Sequence, residues 1–306
     1  MMRLTLIHGN AGPRALHAVQ IYISSLWLAK ALTDPLSRLA VLPRSYYEPV
    51  GVLQLVPTSI ESWLLSAGGL TSLRCALIMT SALCLWPRAF RWISPVCFAL
   101  VLVYQSLIRG FGHANHAEIL LILALGLLAT FAWTPLRRHN EGYSPYGIPV
   151  LAVALTITVC YSLIGLLRLY DGVAQFTGDS IVNYVVSRSL RTSYYDFNVG
   201  MIAVTSPVFV WLLRLGFPLV SIVEALSPLV LVSRPFRVVF FTVMIPFHLM
   251  TLTLMEVSFL ENLLLYVVLV DFSRWLPVFA LGGLDSHQAS SLGAVGRRRL
   301  AASETA

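Results

Sequence analysis

Two histidines and a carboxylate lie close together in the segment Gly112-His113-Ala114-Asn115-His116-Ala117-Glu118. His113 and His116 are three residues apart, so on a helix they share one face. Two imidazoles and a carboxylate are groups that can ligate a metal ion. The sequence offers no second cluster of His and Cys to complete such a site. We therefore expect no metal, and the alternative is polar capping of a helix at the membrane interface.

A second set of polar residues closes a long apolar run. Tyr161, Gly165 and Arg168 follow one another at steps of four and three residues, so they form one stripe on a helix. The Arg168 guanidinium could hold an anion, a lipid headgroup or a quinone oxygen through a forked hydrogen bond. The alternative is an arginine that reaches the membrane interface and pairs with Asp171.

Glu224 and His248 each lie deep in an apolar stretch. An ionisable side chain at membrane depth costs roughly 2.5–3.5 kcal/mol on insertion scales, so it normally needs a partner or a wet cavity. A histidine and a glutamate together could transfer protons, because histidine titrates near neutral pH. They could equally form a structural hydrogen bond between helices. Both interpretations stay open at this point.

The composition requires a membrane environment for these residues. The chain is 57% hydrophobic and 11% charged, whereas a soluble domain carries about 25% charged residues. In a membrane protein, a net charge of +7 is explained by arginines in cytoplasmic loops. We therefore expect no nucleic-acid partner. The four cysteines lie in apolar runs without a CxxC pair, which favours small buried side chains. The sequence predicts an all-α, polytopic membrane protein.

The apolar runs predict about eight transmembrane helices, with nine as the alternative. The clear spans lie at about 15–32, 70–86, 92–109, 117–134, 148–169, 236–255 and 259–283. Region 199–232 is ambiguous, because Pro207 and Gly216-Phe217-Pro218 interrupt it. We expect a broken or re-entrant segment there, near Gly216. The loops 33–69 and 170–198 are long enough to contain short helices.

The distribution of arginine predicts the orientation. Clusters at Arg88/Arg91, Arg137/Arg138 and Arg234/Arg237 fall on one side if region 199–232 crosses once overall. Because basic residues favour the cytoplasmic side, we expect both termini to be cytoplasmic. The expected organisation is a cytoplasmic N-terminus at 1–14, a membrane domain at 15–283 and a disordered cytoplasmic tail at 284–306.

The order of the polar motifs resembles that of the vitamin K-dependent gamma-carboxylase-like membrane family, whose bacterial members are called HTTM (horizontally transferred transmembrane) proteins. Asn115-His116 resembles the family's Asn-His motif, and Tyr161-x3-Gly165-x2-Arg168-Leu169 resembles its Tyr-x3-Gly-x2-Lys-Leu motif. Glu224-x3-Pro228 followed by Phe247-His248-Leu249 is similar to its late Glu…Pro…Phe-His stretch. The early segment YYEPVGVL at 46–53 resembles the family's first loop.

The resemblance implies a multi-pass protein of the bacterial cytoplasmic membrane. In the true carboxylases the family's lysine acts as the base on reduced vitamin K, assisted by the histidine of the Asn-His motif. Carry-over places His116 beside the chemistry and Arg168 in the position of the base. A guanidinium, with a pKa above about 12, cannot be deprotonated in a protein. Gamma-glutamyl carboxylation is therefore not expected, and whether the protein is an enzyme stays open.

We expect a polar intramembrane cavity lined by His116, Arg168, Glu224 and His248. Tyr161, Gly165 and Arg168 are the candidates for contact with a cofactor, for which the resemblance suggests a quinone or a vitamin K-like isoprenoid. Some family members act in the maturation of secreted antimicrobial peptides, so the leading hypothesis is an accessory or maturation factor for a secreted peptide or a lipid-linked process. The expected partners are membrane lipid and a secreted peptide or partner membrane protein. The alternatives are a quinone-dependent membrane oxidoreductase or carboxylase-like enzyme, and a transporter or lipid-binding scaffold.

Overall fold

The computed structural model describes residues 7–8, 11–112, 118–133, 146–177, 180–190 and 199–270, and of 171–177 and 180 it describes the backbone alone. Within these ranges every regular element is a helix. The α-helices are α1 (Pro13–Thr33), α2 (Thr58–Leu64), α3 (Ala67–Cys84), α4 (Pro87–Gly110), α5 (Ile119–Phe131), α6 (Gly147–Thr177), α7 (Ser180–Ser189), α8 (Val199–Thr205), α9 (Pro207–Ala225), α10 (Arg234–Met255) and α11 (Leu260–Leu265). Short 3₁₀ helices lie at Leu36–Val41, Arg44–Tyr46, Gly51–Leu55, Ser227–Leu231 and Tyr266–Leu269.

Five of the described helices are long and apolar enough to cross a membrane. They are α3, α4, the Gly147–Tyr170 part of α6, α9 and α10. Large apolar side chains cover the outer faces of α6, α9 and α10, as in Leu167, Trp211 and Val238, each of which is at least 60% exposed. An apolar outer surface of this extent fits lipid contact. The chain is therefore an all-helical protein with the features of a membrane protein.

From α2 to α6, each helix packs against the next one in the chain, and α1 packs against α3. The most extensive contact is between α6 and α9. The α6–α9 contact continues into the 3₁₀ helix Ser227–Leu231, where the Ser227 hydroxyl donates a hydrogen bond to the carbonyl oxygen of Thr158 at 2.6 Å. Helix α10 packs on α8, on α9 and on the same 3₁₀ helix. This arrangement brings the Tyr161–Arg168 stripe of α6 against α9 and α10.

Region 199–232 is broken, but not at the predicted place. The chain breaks at Ser206, between α8 and α9, and α9 continues through Gly216 and Pro218. Pro207 is at the first turn of α9, where its missing N–H is tolerated, and it holds Ser206 in an extended conformation. Pro218 lies inside the helix, where it has no N–H to donate to the preceding turn, but it does not end the helix.

The two predicted loops contain helices. Region 33–69 includes α2 and three 3₁₀ helices, in line with its length. Region 170–198 is more helical than predicted, because α6 continues to Thr177 and α7 follows at Ser180. The cysteines differ from one another: Cys84 and Cys97 are buried, Cys160 is half-buried and Cys75 is exposed, so the prediction of buried thiols is wrong for Cys75. Most of the predicted span 259–283 and the tail 284–306 lie outside the described residues.

Candidate functional site

The close contact between α6 and α9 is centred on Gly165. A Cβ atom added there would lie 2.6 Å from the Ser221 carbonyl oxygen and 2.7 Å from the Glu224 Cβ atom. Only glycine lets the two helix backbones approach this closely. The neighbouring Ser162 hydroxyl donates a hydrogen bond across the interface to the Ala225 carbonyl oxygen at 2.7 Å. The glycine of the Tyr161–Gly165–Arg168 stripe therefore sets the distance between α6, which carries Arg168, and α9, which carries Glu224.

One turn further along α6, Arg168 forms an ion pair with Glu224. Its Nη1 donates to the Glu224 Oε2 at 2.5 Å. The Glu224 side chain is 2% exposed and the Arg168 side chain is 29% exposed, so the carboxylate is enclosed and the guanidinium is at the edge of the protein interior. The guanidinium also lies near the rings of Phe217 and Phe247, at 5.5 and 5.7 Å from their centroids. These rings shield the pair from solvent and make cation–π contacts with it.

His248 lies between two buried tyrosines. Its Nε2 is 3.1 Å from the Tyr161 hydroxyl and 2.8 Å from the Tyr266 hydroxyl. Because Nε2 carries either one hydrogen or one lone pair, it satisfies these two hydroxyls through alternative hydrogen bonds. The other ring nitrogen, Nδ1, is buried and has no hydrogen-bond partner among the described residues. This cluster of three groups contains a titratable ring and two hydroxyls that can exchange hydrogen-bond roles.

A cavity of about 370 Å³ opens beside Arg168. Its volume is within the range of roughly 300–1,000 Å³ that is typical of small-molecule sites. Arg168 supplies the charged part of the wall, and the rest is mainly apolar and aromatic, with Tyr184, Phe217, Phe247, Thr251 and Phe259 among the lining residues. A cavity with one fork of N–H donors and aromatic walls suits a molecule with an oxygen-bearing head and an apolar body.

The structure brings together five of the candidate residues, namely Tyr161, Gly165, Arg168, Glu224 and His248. Of the described members of the expected shared cavity, Arg168 lines this space, and Glu224 and His248 are not among its lining residues. Glu224 pairs with Arg168, and the His248 ring lies 5.3 and 5.5 Å from the rings of Phe247 and Phe259. His113 and His116 lie outside the described residues, and the side chain of Asp171 is not described.

A second polar cavity, of about 390 Å³, surrounds Lys30 at the end of α1. The Lys30 ammonium lies 2.5 Å from Glu118, 3.3 Å from Glu261 and 3.5 Å from Asp34. Glu118 also accepts a hydrogen bond from Gln105, and Asp34 accepts one from the Tyr104 hydroxyl. One cation thus connects carboxylates from three separate parts of the chain.

Sequence reasoning missed this cavity, although a signal was present. Lys30 is the only lysine among the 21 basic Lys and Arg residues. Lysine differs from arginine in having a compact ammonium that fits between several carboxylates. The aromatic wall of the first cavity and Tyr266 had no comparable signal, because one phenylalanine or tyrosine in an apolar run resembles any other.

The described residues contain no group of three or more His, Cys, Asp and Glu side chains arranged to hold a metal ion. No protein-family model, curated protein or solved structure matches the chain. Function is therefore inferred from the geometry of the Arg168 cavity and of the Glu224 and His248 side chains near it.

Proposed function

We propose that the protein binds an amphipathic, lipid-like molecule within the membrane and acts as an accessory or maturation factor in a lipid-linked process or in the export of a secreted peptide. The observation that carries the proposal is the position of Arg168, whose guanidinium lies in the wall of a mainly apolar cavity of about 370 Å³. A half-buried fork of N–H donors in a mainly apolar wall recognises a carboxylate, a phosphate or a carbonyl oxygen.

The chemistry of arginine favours binding over base catalysis. The guanidinium keeps its charge and has five N–H donors. One hydrogen bond, to Glu224, is described for it, and its Cζ atom lies 5.5 and 5.7 Å from the centroids of the Phe217 and Phe247 rings. Glu224 balances the charge, so the site is close to neutral when empty. Such a site suits a neutral or singly charged head rather than a multiply charged one.

The test compares Arg168→Lys with Arg91→Lys. Arg168→Lys keeps a positive charge for Glu224 but removes the fork. Arg91 is a matched control, because its guanidinium also lies near two aromatic rings, Trp92 and Trp133, and it is outside this cavity. Mass spectrometry of molecules extracted from the purified proteins should show an amphiphile that is retained by wild type and Arg91→Lys and depleted in Arg168→Lys. Equal amounts in all three proteins would refute the proposal.

A second candidate function, a quinone-dependent membrane oxidoreductase, is favoured by the Tyr161–His248–Tyr266 cluster. Quinone chemistry requires groups that transfer protons, and His248 lies between two hydroxyls within 3.1 Å. This function predicts a quinone absorbance in the purified protein that survives Arg91→Lys and is lost in His116→Ala or His248→Gln. A preparation without quinone from a quinone-rich membrane would argue against it.

We also propose that the chain crosses the bacterial cytoplasmic membrane eight times, with both termini in the cytoplasm. The arginine clusters Arg88/Arg91 and Arg234/Arg237 support this orientation under the positive-inside rule. Membership of the HTTM family is part of the same proposal. It is supported by the motif order and by the proximity of Tyr161, Arg168 and Glu224 in space. Reporter fusions to each predicted loop test the crossings, since an external 234–237 turn would exclude this topology.

A further inference from the structure

A second apolar space adjoins the Arg168 cavity. It is a groove of about 350 Å³ between α9 and α10, and its wall is almost entirely apolar. Both spaces are lined by Ile181, Phe217, Phe247, Thr251 and Met255, so they adjoin along these residues. The first space therefore carries a guanidinium, and the adjoining groove is lined almost entirely by apolar side chains.

We infer that this groove holds the apolar chain of the ligand, and that the ligand is a single-chain lipid with a singly charged acidic head. The inference rests on the proposed function, because Arg168 would hold the head. The bilayer would be the source of this ligand. Leu212, Leu219 and Met250, at the rim of the groove, are 55%, 53% and 42% exposed, which leaves the groove open to the lipid-facing side.

The size of the groove favours one chain over two. One water-sized group occupies about 30 Å³ in the liquid, so 350 Å³ accommodates on the order of ten such groups. About ten methylene-sized groups make up one medium acyl chain, whereas the two chains of a phospholipid would need about twice the volume. The charge of the head follows from the ion pair, because Glu224 occupies one side of the guanidinium and repels a doubly charged group.

Gly216, one of the residues that line the groove, allows a specific test. A Cβ atom added there meets no atom within 4 Å, although Gly216 lines the groove. Gly216→Phe should therefore fill the groove without a backbone clash. Leu215→Phe is the matched control, because Leu215 is the adjacent residue of α9, is 64% exposed and does not line the groove.

The experiment measures the binding of hexanoate and dodecanoate to the full-length protein in detergent. Wild type and Leu215→Phe should bind dodecanoate more tightly than hexanoate. Gly216→Phe should weaken dodecanoate binding by about tenfold, the equivalent of about two buried methylene groups, and leave hexanoate binding unchanged. Met250→Trp, which fills the groove from α10, should act in the same way. Unchanged hexanoate binding also shows that each variant is folded.

Arg168→Lys separates the two levels of the proposal. It should weaken both ligands, because both use the same head. If Arg168→Lys changes neither affinity, or if wild type binds neither ligand, the proposed function and this inference both fail. If Arg168→Lys weakens both but Gly216→Phe and Met250→Trp affect dodecanoate no more than Leu215→Phe does, the head site stands and the groove inference is refuted.

Discussion

Replacement of Arg168 by glutamine should destabilise the protein in a way that depends on pH. The change removes the cation and leaves the Glu224 carboxylate, with only 2% of its side chain exposed, without its partner. Breaking a buried ion pair by removing one member costs about 3–5 kcal/mol. The variant avoids an unpaired buried charge at the lowest free-energy cost when the Glu224 carboxylate takes up a proton from solvent.

The free-energy cost of protonating Glu224 determines how much stability the variant loses and how that loss changes with pH. For a carboxyl with an ordinary pKa of about 4.3, protonation at pH 7 costs about 3.7 kcal/mol, and at pH 5 it costs about 1 kcal/mol. In the variant, the folded state binds one more proton than the unfolded state, so its free energy of unfolding falls as the pH rises, by about 1.4 kcal/mol per pH unit. Wild type keeps the Arg168 cation beside the carboxylate, so its slope over this pH range should be shallower.

The assay is equilibrium unfolding with SDS in mixed micelles between pH 5 and pH 7, with Arg91→Gln as control. The loss should be about 3.7 kcal/mol at pH 7 and about 1 kcal/mol at pH 5. Glu224→Gln should be milder, because Arg168 is 29% exposed and can reach water, and the double variant should recover much of the Arg168→Gln loss. A loss for Arg168→Gln that is the same at pH 5 and pH 7, or no larger than for Arg91→Gln, would refute the reasoning.

Three further predictions concern the groups around this pair and the second cavity. Gly165→Ala should cost about 1–3 kcal/mol by overpacking the α6–α9 contact. The control, Gly68→Ala, should be neutral or stabilising, because its added Cβ would meet only the Ser66 hydroxyl, at 3.9 Å. Equal effects of the two changes in thermal unfolding would contradict the close approach of the α6 and α9 backbones. His248→Phe should cost about 1–3 kcal/mol, because it removes the ring nitrogen that hydrogen-bonds the Tyr161 and Tyr266 hydroxyls. The combination with Tyr161→Phe should cost less than the sum of the single changes, and strict additivity would show that the hydrogen bond is unimportant. Lys30→Met should destabilise the protein by about 3–5 kcal/mol at pH 8 and by less at pH 5. The reason is that Glu118, whose side chain is 5% exposed, must take up a proton once the ammonium is gone. A loss that does not depend on pH, or an equal loss for Lys30→Arg, would show that the positive charge is not what matters.

The helices could be predicted from the sequence because an apolar run of sufficient length has few alternatives. The predicted spans 70–86, 92–109 and 236–255 overlap α3, α4 and α10 almost completely. The break in region 199–232 was misplaced because sequence alone does not show whether a proline is at the start of a helix or inside it. Pro207 begins α9, while Pro218 is accommodated within it.

The polar contacts were only partly predictable. The i, i+4, i+7 spacing placed Tyr161, Gly165 and Arg168 on one face because helical periodicity is local. The pairing of Arg168 with Glu224, 56 residues later, depends on how α6 packs against α9, which periodicity does not encode. The same limit applies to the cavity wall: polarity marked Glu224 and His248 as important, but only the packing shows that they are not among the residues that line the cavity.

The single lysine gives the protein a natural reporter. Apart from the α-amino group, Lys30 is the only primary amine in the chain, and its side chain is 14% exposed at the second cavity. An amine-reactive dye can reach it only when that cavity is open to solvent and the ammonium has left its three carboxylates. The rate of labelling at this one position therefore measures how often the contact between α1, Glu118 and Glu261 opens, without any engineered residue.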